Sequence, residues 1–362
     1  MKIFIANDST VLTALMRAIV ETEAGYQIVG TASDGMQAVD QMEYFRPDLI
    51  LMDIHMPRMN GVEAVRAIIQ RYPKIRILIT SATINRNMKL IFDALKYGAI
   101  DYIKSPSLSA PPGTRIDKQS LRKAGKKLLN KIKTVTTVNQ KKNALVYQSD
   151  HVAQVCHSKK KHIDIKQPVF NGIRPMLGIG CSTGGPTTLV LLLCSMPRPL
   201  PGPVLVCQHI DPGFDESFAN WLSGETGYKV IIPNHQTQAL PNCIYVAKAG
   251  KNMLVSGQRI YFEQPPSSQI YIPNIDRMFM SMAKNNGKNV CGIVLTGMGD
   301  DGAQGAKSIL DHGGTVFIQN NETAIVESMP NRARSLTGIY MGYSPEVLGQ
   351  KSAEWMKTKA GK

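Results

Sequence analysis

Gly180-Cys181-Ser182-Thr183-Gly184 follows the apolar run Met176 to Ile179 and precedes the helix-like run Leu189 to Leu193. A strand-like run, a tight glycine turn and then a helix lift a serine hydroxyl out of the backbone beside helix N–H groups, so Ser182 reads as a nucleophile. A serine alone is weak near neutral pH and needs a base and an orienting acid. His209 closes the run Val204-Leu205-Val206-Cys207-Gln208, and Asp301 follows the run Gly292-Ile293-Val294-Leu295-Thr296. Each of the three stands where a buried parallel strand would end, which is where open α/β sheets gather their ligand-binding groups. GxSxG is a short pattern, and a serine in it can simply cap a helix. Two strand-end partners of the right chemistry favour the catalytic reading. The order Ser, His, Asp differs from the Ser, Asp, His order of α/β-hydrolases and predicts a different fold.

The same glycines invite a dinucleotide reading, which needs GxGxxG and an acidic residue about 20 positions on. Here Gly178-Ile179-Gly180-Cys181-Ser182-Thr183 has threonine in place of the third glycine, which argues against a nucleotide cofactor.

At 362 residues the chain is long enough for two domains, each with its own core, and its 43% hydrophobic content is ordinary for globular proteins. The opening Met1-Lys2-Ile3-Phe4-Ile5-Ala6 lacks the apolar stretch of a signal peptide, and runs such as Leu189 to Cys194 are too short to span a bilayer. A cytoplasmic location without membrane insertion is expected. The cysteines Cys156, Cys181, Cys194, Cys207, Cys243 and Cys291 show no CxxC spacing, and four lie in or beside apolar runs, so neither zinc nor a disulfide is expected. Cys156, His157 and His162 sit in a polar segment without further candidate ligands.

The net charge of +15 is local. Between Arg115 and Lys166 stand fourteen Lys and Arg against three Asp, a surplus of eleven. This region covers an amphipathic helix expected over Ser120 to Thr134, with Leu121, Leu128, Leu129 and Ile132 on one side, and then a structureless tract to about Arg174. Such a run reads as a solvated helix face and linker. Apart from Tyr147 it lacks the interleaved aromatics of a base-stacking platform, which argues against nucleic acid as partner.

Before the linker, short apolar runs alternate with helical stretches. Ile3 to Ala6, Gln27 to Ala32, Leu49 to Met52, Ile75 to Thr80 and Tyr102 to Ile103 read as strands; Leu12 to Glu23 and Gly61 to Gln70 have helical periodicity. The alternation predicts a doubly wound parallel sheet. Asp8 follows the first strand and Asp53 the third. Two carboxylates at one sheet edge make a hard oxygen site suited to magnesium and to phosphoryl transfer, although helix capping by Asp8 and a turn at Asp53 would explain them equally simply.

Asn7-Asp8-Ser9, Met52-Asp53-Ile54-His55-Met56-Pro57-Arg58-Met59-Asn60-Gly61 and Gly98-Ala99-Ile100-Asp101-Tyr102 resemble the receiver domain of bacterial response regulators. Gly180-Cys181-Ser182-Thr183-Gly184-Gly185-Pro186, Gln208-His209-Ile210-Asp211-Pro212-Gly213-Phe214 and Leu295-Thr296-Gly297-Met298-Gly299-Asp300-Asp301-Gly302 resemble the chemotaxis protein-glutamate methylesterases. That family joins the two domains in this order. The resemblance implies a receiver over 1–135, a basic flexible linker over 136–172 and a Rossmann-like methylesterase domain over 173–357. It further implies hydrolysis of glutamate methyl esters on methyl-accepting chemotaxis receptors, with receptor glutamine deamidation in some members. Ser182 would be nucleophile, His209 base and Asp301 orienting acid, with Thr183 and Met298 on the oxyanion side. Hydrolysis would need no cofactor. A sensor histidine kinase would phosphorylate Asp53 with magnesium held through Asp8, Asp53 and His55, and Ser81, Thr80 and Lys104 would form the receiver switch.

Two receiver positions depart from the family. Asn7 replaces one carboxylate of the acidic pair, which weakens magnesium binding. Aligned without a gap, Ser105 falls where the family carries its phosphate-contacting lysine, and Lys104 lies one residue early, on the opposite strand face. In the second half, Ala247-Lys248-Ala249-Gly250 lacks a proline-glycine turn, and Ser267 to Asn274 has no basic residue where relatives carry arginine and histidine. Two other classes stay open at this stage: a non-enzymatic signalling adaptor with a degenerate receiver, and a regulator binding DNA through its basic middle, for which no helix-turn-helix is evident.

Overall fold

The computed structural model describes residues 1–82, 84–108, 117–138 and 174–361. The linker expected over 136–172, with Tyr147, Cys156, His157 and His162, lies outside them except for 136–138. The chain divides into two compact units, Met1–Ser149 and Asp150–Lys362.

In the first unit five parallel strands, β1 (Lys2–Ala6), β2 (Gln27–Ala32), β3 (Leu49–Asp53), β4 (Arg76–Ser81) and β5 (Asp101–Lys104), stand in the order β2-β1-β3-β4-β5. Helices α1 (Thr10–Val20), α2 (Gly35–Phe45), α3 (Gly61–Arg71), α4 (Ile84–Lys96) and α5 (Lys118–Thr137) alternate with or follow them. Central β3 is buried along its whole length, as a strand covered on both faces must be. Local chemistry sets the helix ends. The Ser9 hydroxyl accepts from Leu12 N–H to start α1, and Thr22 Oγ1 donates to the Ile19 carbonyl at 2.7 Å just past its end, so α1 stops short of the expected Glu23. Asn60 and Glu63 form a reciprocal capping box on α3. The amphipathic helix expected from Ser120 is α5, with Leu128, Leu129 and Ile132 buried.

The second unit is built on six parallel strands in the order β14-β13-β6-β7-β10-β8: β6 (Met176–Cys181), β7 (Val204–Gln208), β8 (Lys229–Ile231), β10 (Cys243–Val246), β13 (Val290–Val294) and β14 (Thr315–Ile318). Its helices are α6 (Gly185–Ser195), α7 (Asp215–Thr226), α8 (Ile275–Asn286), α9 (Ala303–Asp311), α10 (Ser328–Thr337) and α11 (Pro345–Ala360). Phe279 and Met282 of α8, Ile309 of α9 and Met329 of α10 share one core cluster with Val290, Val294 and Val316 of the sheet. Every residue of α6 is buried, and α11 packs on it. The sequence reading did not anticipate an antiparallel sheet, β11-β12-β9, formed by β9 (Thr237–Gln238), β11 (Asn252–Ser256) and β12 (Arg259–Glu263).

Cys181, Cys207, Cys243 and Cys291 are free and buried. Cys194 is disulfide-bonded, which corrects the expectation of none; an apolar setting does not by itself separate a free thiol from a bonded one.

Ile293 lies fully buried on β13 between β6 and β14. Both tryptophans, Trp221 and Trp355, belong to the second unit, so their fluorescence reports its unfolding. Ile293→Ala is expected to lower that unit's stability by about 2–5 kcal/mol, read as an earlier urea midpoint of tryptophan fluorescence.

Candidate active site

In the second unit β6 has β7 on one side and β13 on the other, so the strand order reverses at β6. The crevice beyond the carboxyl end of such a strand is the open sheet's natural site. Ser182 follows β6 directly, His209 follows β7, and Asp301 lies in the loop between β13 and α9.

Backbone bonds fasten these strand ends together. His209 N–H donates to the Cys181 carbonyl and Ser182 N–H to that of Thr296, each at 3.0 Å. The Gln208 side-chain amide donates to the carbonyls of Ser182 and His209, both at 3.0 Å, closing the gap between the two strand ends. Thr296 Oγ1 donates to the Thr183 carbonyl at 2.9 Å and accepts from Val326 N–H at 2.8 Å. The Ser182 turn is thereby fixed from both sides. Gly184 follows at φ +77°, a left-handed conformation that suits glycine, and α6 begins at the next residue, placing the positive end of a helix dipole near Ser182.

Asp301 is 2% exposed and accepts five hydrogen bonds. Its donors are Asn274 Nδ2 at 3.0 Å, Ile275 N–H at 2.8 Å, Asp276 N–H at 2.9 Å, Gly302 N–H at 3.0 Å and His209 Nε2 at 2.8 Å. The first two residues of α8 therefore aim their unsatisfied N–H groups at this carboxylate. A carboxylate only accepts, so His209 carries its proton on Nε2 and leaves the Nδ1 lone pair for a hydroxyl. The Ser182 hydroxyl makes no hydrogen bond to that ring among the described residues. Ser182 and His209 are nonetheless neighbours at paired strand ends, an arrangement in which the catalytic bond often tightens only with substrate.

Thr183 is buried, and the Met298 side chain is exposed. The residues around Met298 are pinned: Gly297 N–H donates to the Val326 carbonyl at 3.0 Å, and Gly299 N–H donates to Ser328 Oγ at 3.1 Å. Gly297 packs directly on Ser182, since a Cβ there would stand 2.7 Å from Ser182 Cβ and 2.0 Å from Met329 Sδ. Burial pushes the Cys181 thiol far above its ordinary range, so the cysteine beside Ser182 does not compete as a nucleophile.

The sequence reading missed three contributors. Tyr271 stacks on His209 with ring centroids 5.0 Å apart and planes 6° from parallel. Asn274 caps α8 and holds Asp301, and Gln208 bridges the two strand ends. Gln208 adjoins His209 in sequence and was within reach of inspection; the roles of the other two depend on packing across the fold.

In the first unit the order reverses between β1 and β3, where Asp8 and Asp53 stand. Burial pushes Asp53 up to about 6, helped by the charge of Asp8 and opposed by the Ile54 N–H bond at 2.8 Å. Asn7 is buried with its amide nitrogen unpartnered, while Asp8 and His55 are exposed. The Asp8 and Asp53 carboxylates fit a divalent cation that would neutralise their repulsion, but no group of three His, Cys, Asp or Glu able to hold a metal occurs among the described residues.

Strand β5 keeps its register on β4, pairing Lys104 with Ser81, and Ser105 N–H then donates to the Ser81 carbonyl at 3.0 Å. Lys104 is exposed, whereas Ser105 is buried with an unpartnered hydroxyl, as is Thr80. No bulge brings Lys104 back towards the interior, so it is not assembled with buried Thr80, Ser81 and Ser105. Strand alternation is the physical reason.

Together the fold and these sites are those of an α/β ester hydrolase preceded by a receiver unit. Residues 177–350 match the CheB methylesterase model and residues 3–109 the response regulator receiver domain. A protein-glutamate methylesterase/protein-glutamine glutaminase of Hahella chejuensis is 33% identical over 350 residues, 95% of each chain. One from Pseudomonas aeruginosa is 32% identical over 358 residues, 98% of this chain and 99% of its own. The Thermotoga maritima CheB methylesterase catalytic domain structure aligns with TM-score 0.47 and 24% identity, covering 51% of this chain and 98% of its own. The chain belongs to the protein-glutamate methylesterase/protein-glutamine glutaminase family. No helix among the described residues is long and apolar enough to cross a membrane.

Two expectations follow. Gly297→Ala should crowd the Ser182 side chain and repack Met329 against it, giving a loss of at least about tenfold in labelling by a fluorophosphonate probe. For Asp53, a folded value near 6 lies above its ordinary 3.8. Its contribution to stability is therefore full below the ordinary value and is lost as pH rises through about 6. Without divalent cations, Asp53→Asn should stabilise the first unit at pH ~7.5 by about 1–3 kcal/mol, and the gain should close below about pH 4. Hydrogen exchange of the β3 amides, corrected for intrinsic rates, reads both.

Proposed function

We propose that the chain hydrolyses glutamate methyl esters on chemotaxis receptors, with Ser182 as nucleophile, His209 as base and Asp301 as orienting acid. The observation carrying this reading is the His209–Asp301 bond at the strand-order reversal, beside a serine whose backbone is fixed by the strands on both sides. Ser182 Oγ adds to the ester carbonyl while His209 Nδ1 takes its proton, and the new imidazolium faces the Asp301 carboxylate through Nε2. Backbone N–H groups at Thr183 and Met298 receive the developing oxyanion near the α6 N-terminus. Collapse expels methanol, protonated by His209. Water activated by the same ring then releases the glutamate carboxylate and restores the serine. A receptor glutamine would follow the same path with ammonia as leaving group.

The first unit is read as a receiver that accepts a phosphoryl group on Asp53 from a sensor histidine kinase in the cytoplasm. Magnesium held by Asp8, Asp53 and His55 would neutralise charge on the incoming phosphoryl group. Asn7 supplies an amide where a second carboxylate would strengthen that hold, and Ser105 offers a hydroxyl in place of an ammonium. Regulation is accordingly weaker than in receivers with both groups, and basal hydrolysis makes a larger share of the total.

The test is release of labelled methanol from methylated receptor by the full chain, with and without a small phosphodonor and magnesium. Ser182→Ala is expected to reduce release by about 10³-fold or more. Any stimulation by the donor should vanish in Asp53→Ala. A parent chain that binds receptor yet releases no methanol would favour the adaptor reading instead.

A further inference from the structure

Tyr271 lies on the segment between β12 and α8, which carries none of the catalytic side chains. Its ring nevertheless covers one face of the His209 imidazole at 5.0 Å and 6°. Its hydroxyl reaches the loop bearing Asp301: a Cβ on Gly299, which has φ +99°, would stand 2.1 Å from that oxygen. Burial first, and then the charges of Asp300 and Asp301, push the phenol up, so it meets the imidazole as a neutral ring. The backbone beneath it is anchored. The Tyr271 carbonyl accepts from Gln269 Nε2 at 2.6 Å. Gln269 exchanges bonds of 2.9 and 2.8 Å with Asn252, a fully buried amide on β11. Asn252 also accepts from Asn274 N–H at 3.2 Å, next to the helix start that holds Asp301.

We infer that Tyr271 is a positioning residue for the base: its ring clamps the His209 imidazole with Nε2 on Asp301 and Nδ1 towards Ser182, and stabilises the imidazolium that forms when Ser182 attacks. Rotation about the outer side-chain bond would carry Nδ1 and Nε2 away from Ser182 and Asp301 and put ring carbons in their places, and a flat aromatic wall bonded to an anchored backbone opposes it. A cation formed against a ring face also gains attraction that the neutral imidazole lacks, so the effect is larger in the transition state than in the ground state. The inference deepens the esterase reading and rests on it.

The test compares Tyr271→Leu and Tyr271→Phe in the full chain, with Ser182→Ala as blank and methyl-labelled receptor as substrate. Tyr271→Leu is expected to lower kcat by about 5–30-fold with KM within about twofold, whereas Tyr271→Phe stays within about threefold of the parent. A second readout needs no turnover: the ring-current displacement of the His209 proton resonances should be lost with leucine and kept with phenylalanine. Should Tyr271→Leu fail to fold by circular dichroism, Tyr271→Met replaces it as a ring-less side chain of similar reach. Unchanged kcat in a folded ring-less variant overturns the inference, as does a rise in KM that accounts for the whole loss. A phenylalanine variant as poor as leucine also overturns it, because the hydroxyl contact and not the ring would then be responsible. If the parent itself releases no methanol, the esterase reading falls, and the resonance comparison still decides whether the stack orients His209.

Discussion

The carboxylate of Asp301 is the point on which the second unit turns. Buried and bonded to four N–H groups besides His209, it ties the loop after β13 to the first turn of α8 and both to the end of β7. An unpartnered buried carboxylate would be costly, and the start of α8 supplies what it needs. The antiparallel sheet enters the same connection, since Asn252 of β11 holds the segment leading into α8. A hairpin well removed in sequence from Ser182 is thus part of the support for the Asp301–His209 pair. The neighbouring Asp276 is pushed up to about 6, first by burial and then, after the relief given by Gly305 N–H, by the charge of Asp301.

Both units place polar chemistry at the carboxyl ends of strands where the sheet order reverses, and they complete it to different degrees. Around Ser182 the serine backbone, the His209 ring and the Asp301 carboxylate each find a partner from a different strand end. Around Asp53 the buried surroundings are short of positive charge: Lys104 points to solvent, and unpartnered hydroxyls of Thr80 and Ser105 line the interior. The raised proton affinity of Asp53 follows directly from that environment.

Much of this was legible because buried parallel strands are nearly continuous apolar runs that stop where chemistry begins. β2 and β7 run over the residues their apolar patterns mark, and Ser182, His209 and Asp301 each follow such a run. The choice between Lys104 returning to the interior and staying outside was not legible, because it depends on whether β5 keeps its register on β4. The antiparallel sheet escaped because β11 and β12 are five residues each and β9 only two, too short for a decisive period. Tyr271 escaped for another reason: nothing local distinguishes it from an ordinary loop aromatic, and its role exists only where β7 and the loop after β13 converge on it.

Helix α6 is buried from Gly185 to Ser195 and is covered by α11, so the turn carrying Ser182 rests on a support with no exposed side to slide along. Moving the whole turn in or out of alignment would require repacking that core layer. Control of such an enzyme is therefore far cheaper when exercised over entry to the crevice than over the placement of the attacking oxygen. The turn carrying Ser182 stays fixed, and what regulation can vary at such a site is how often a substrate arrives there.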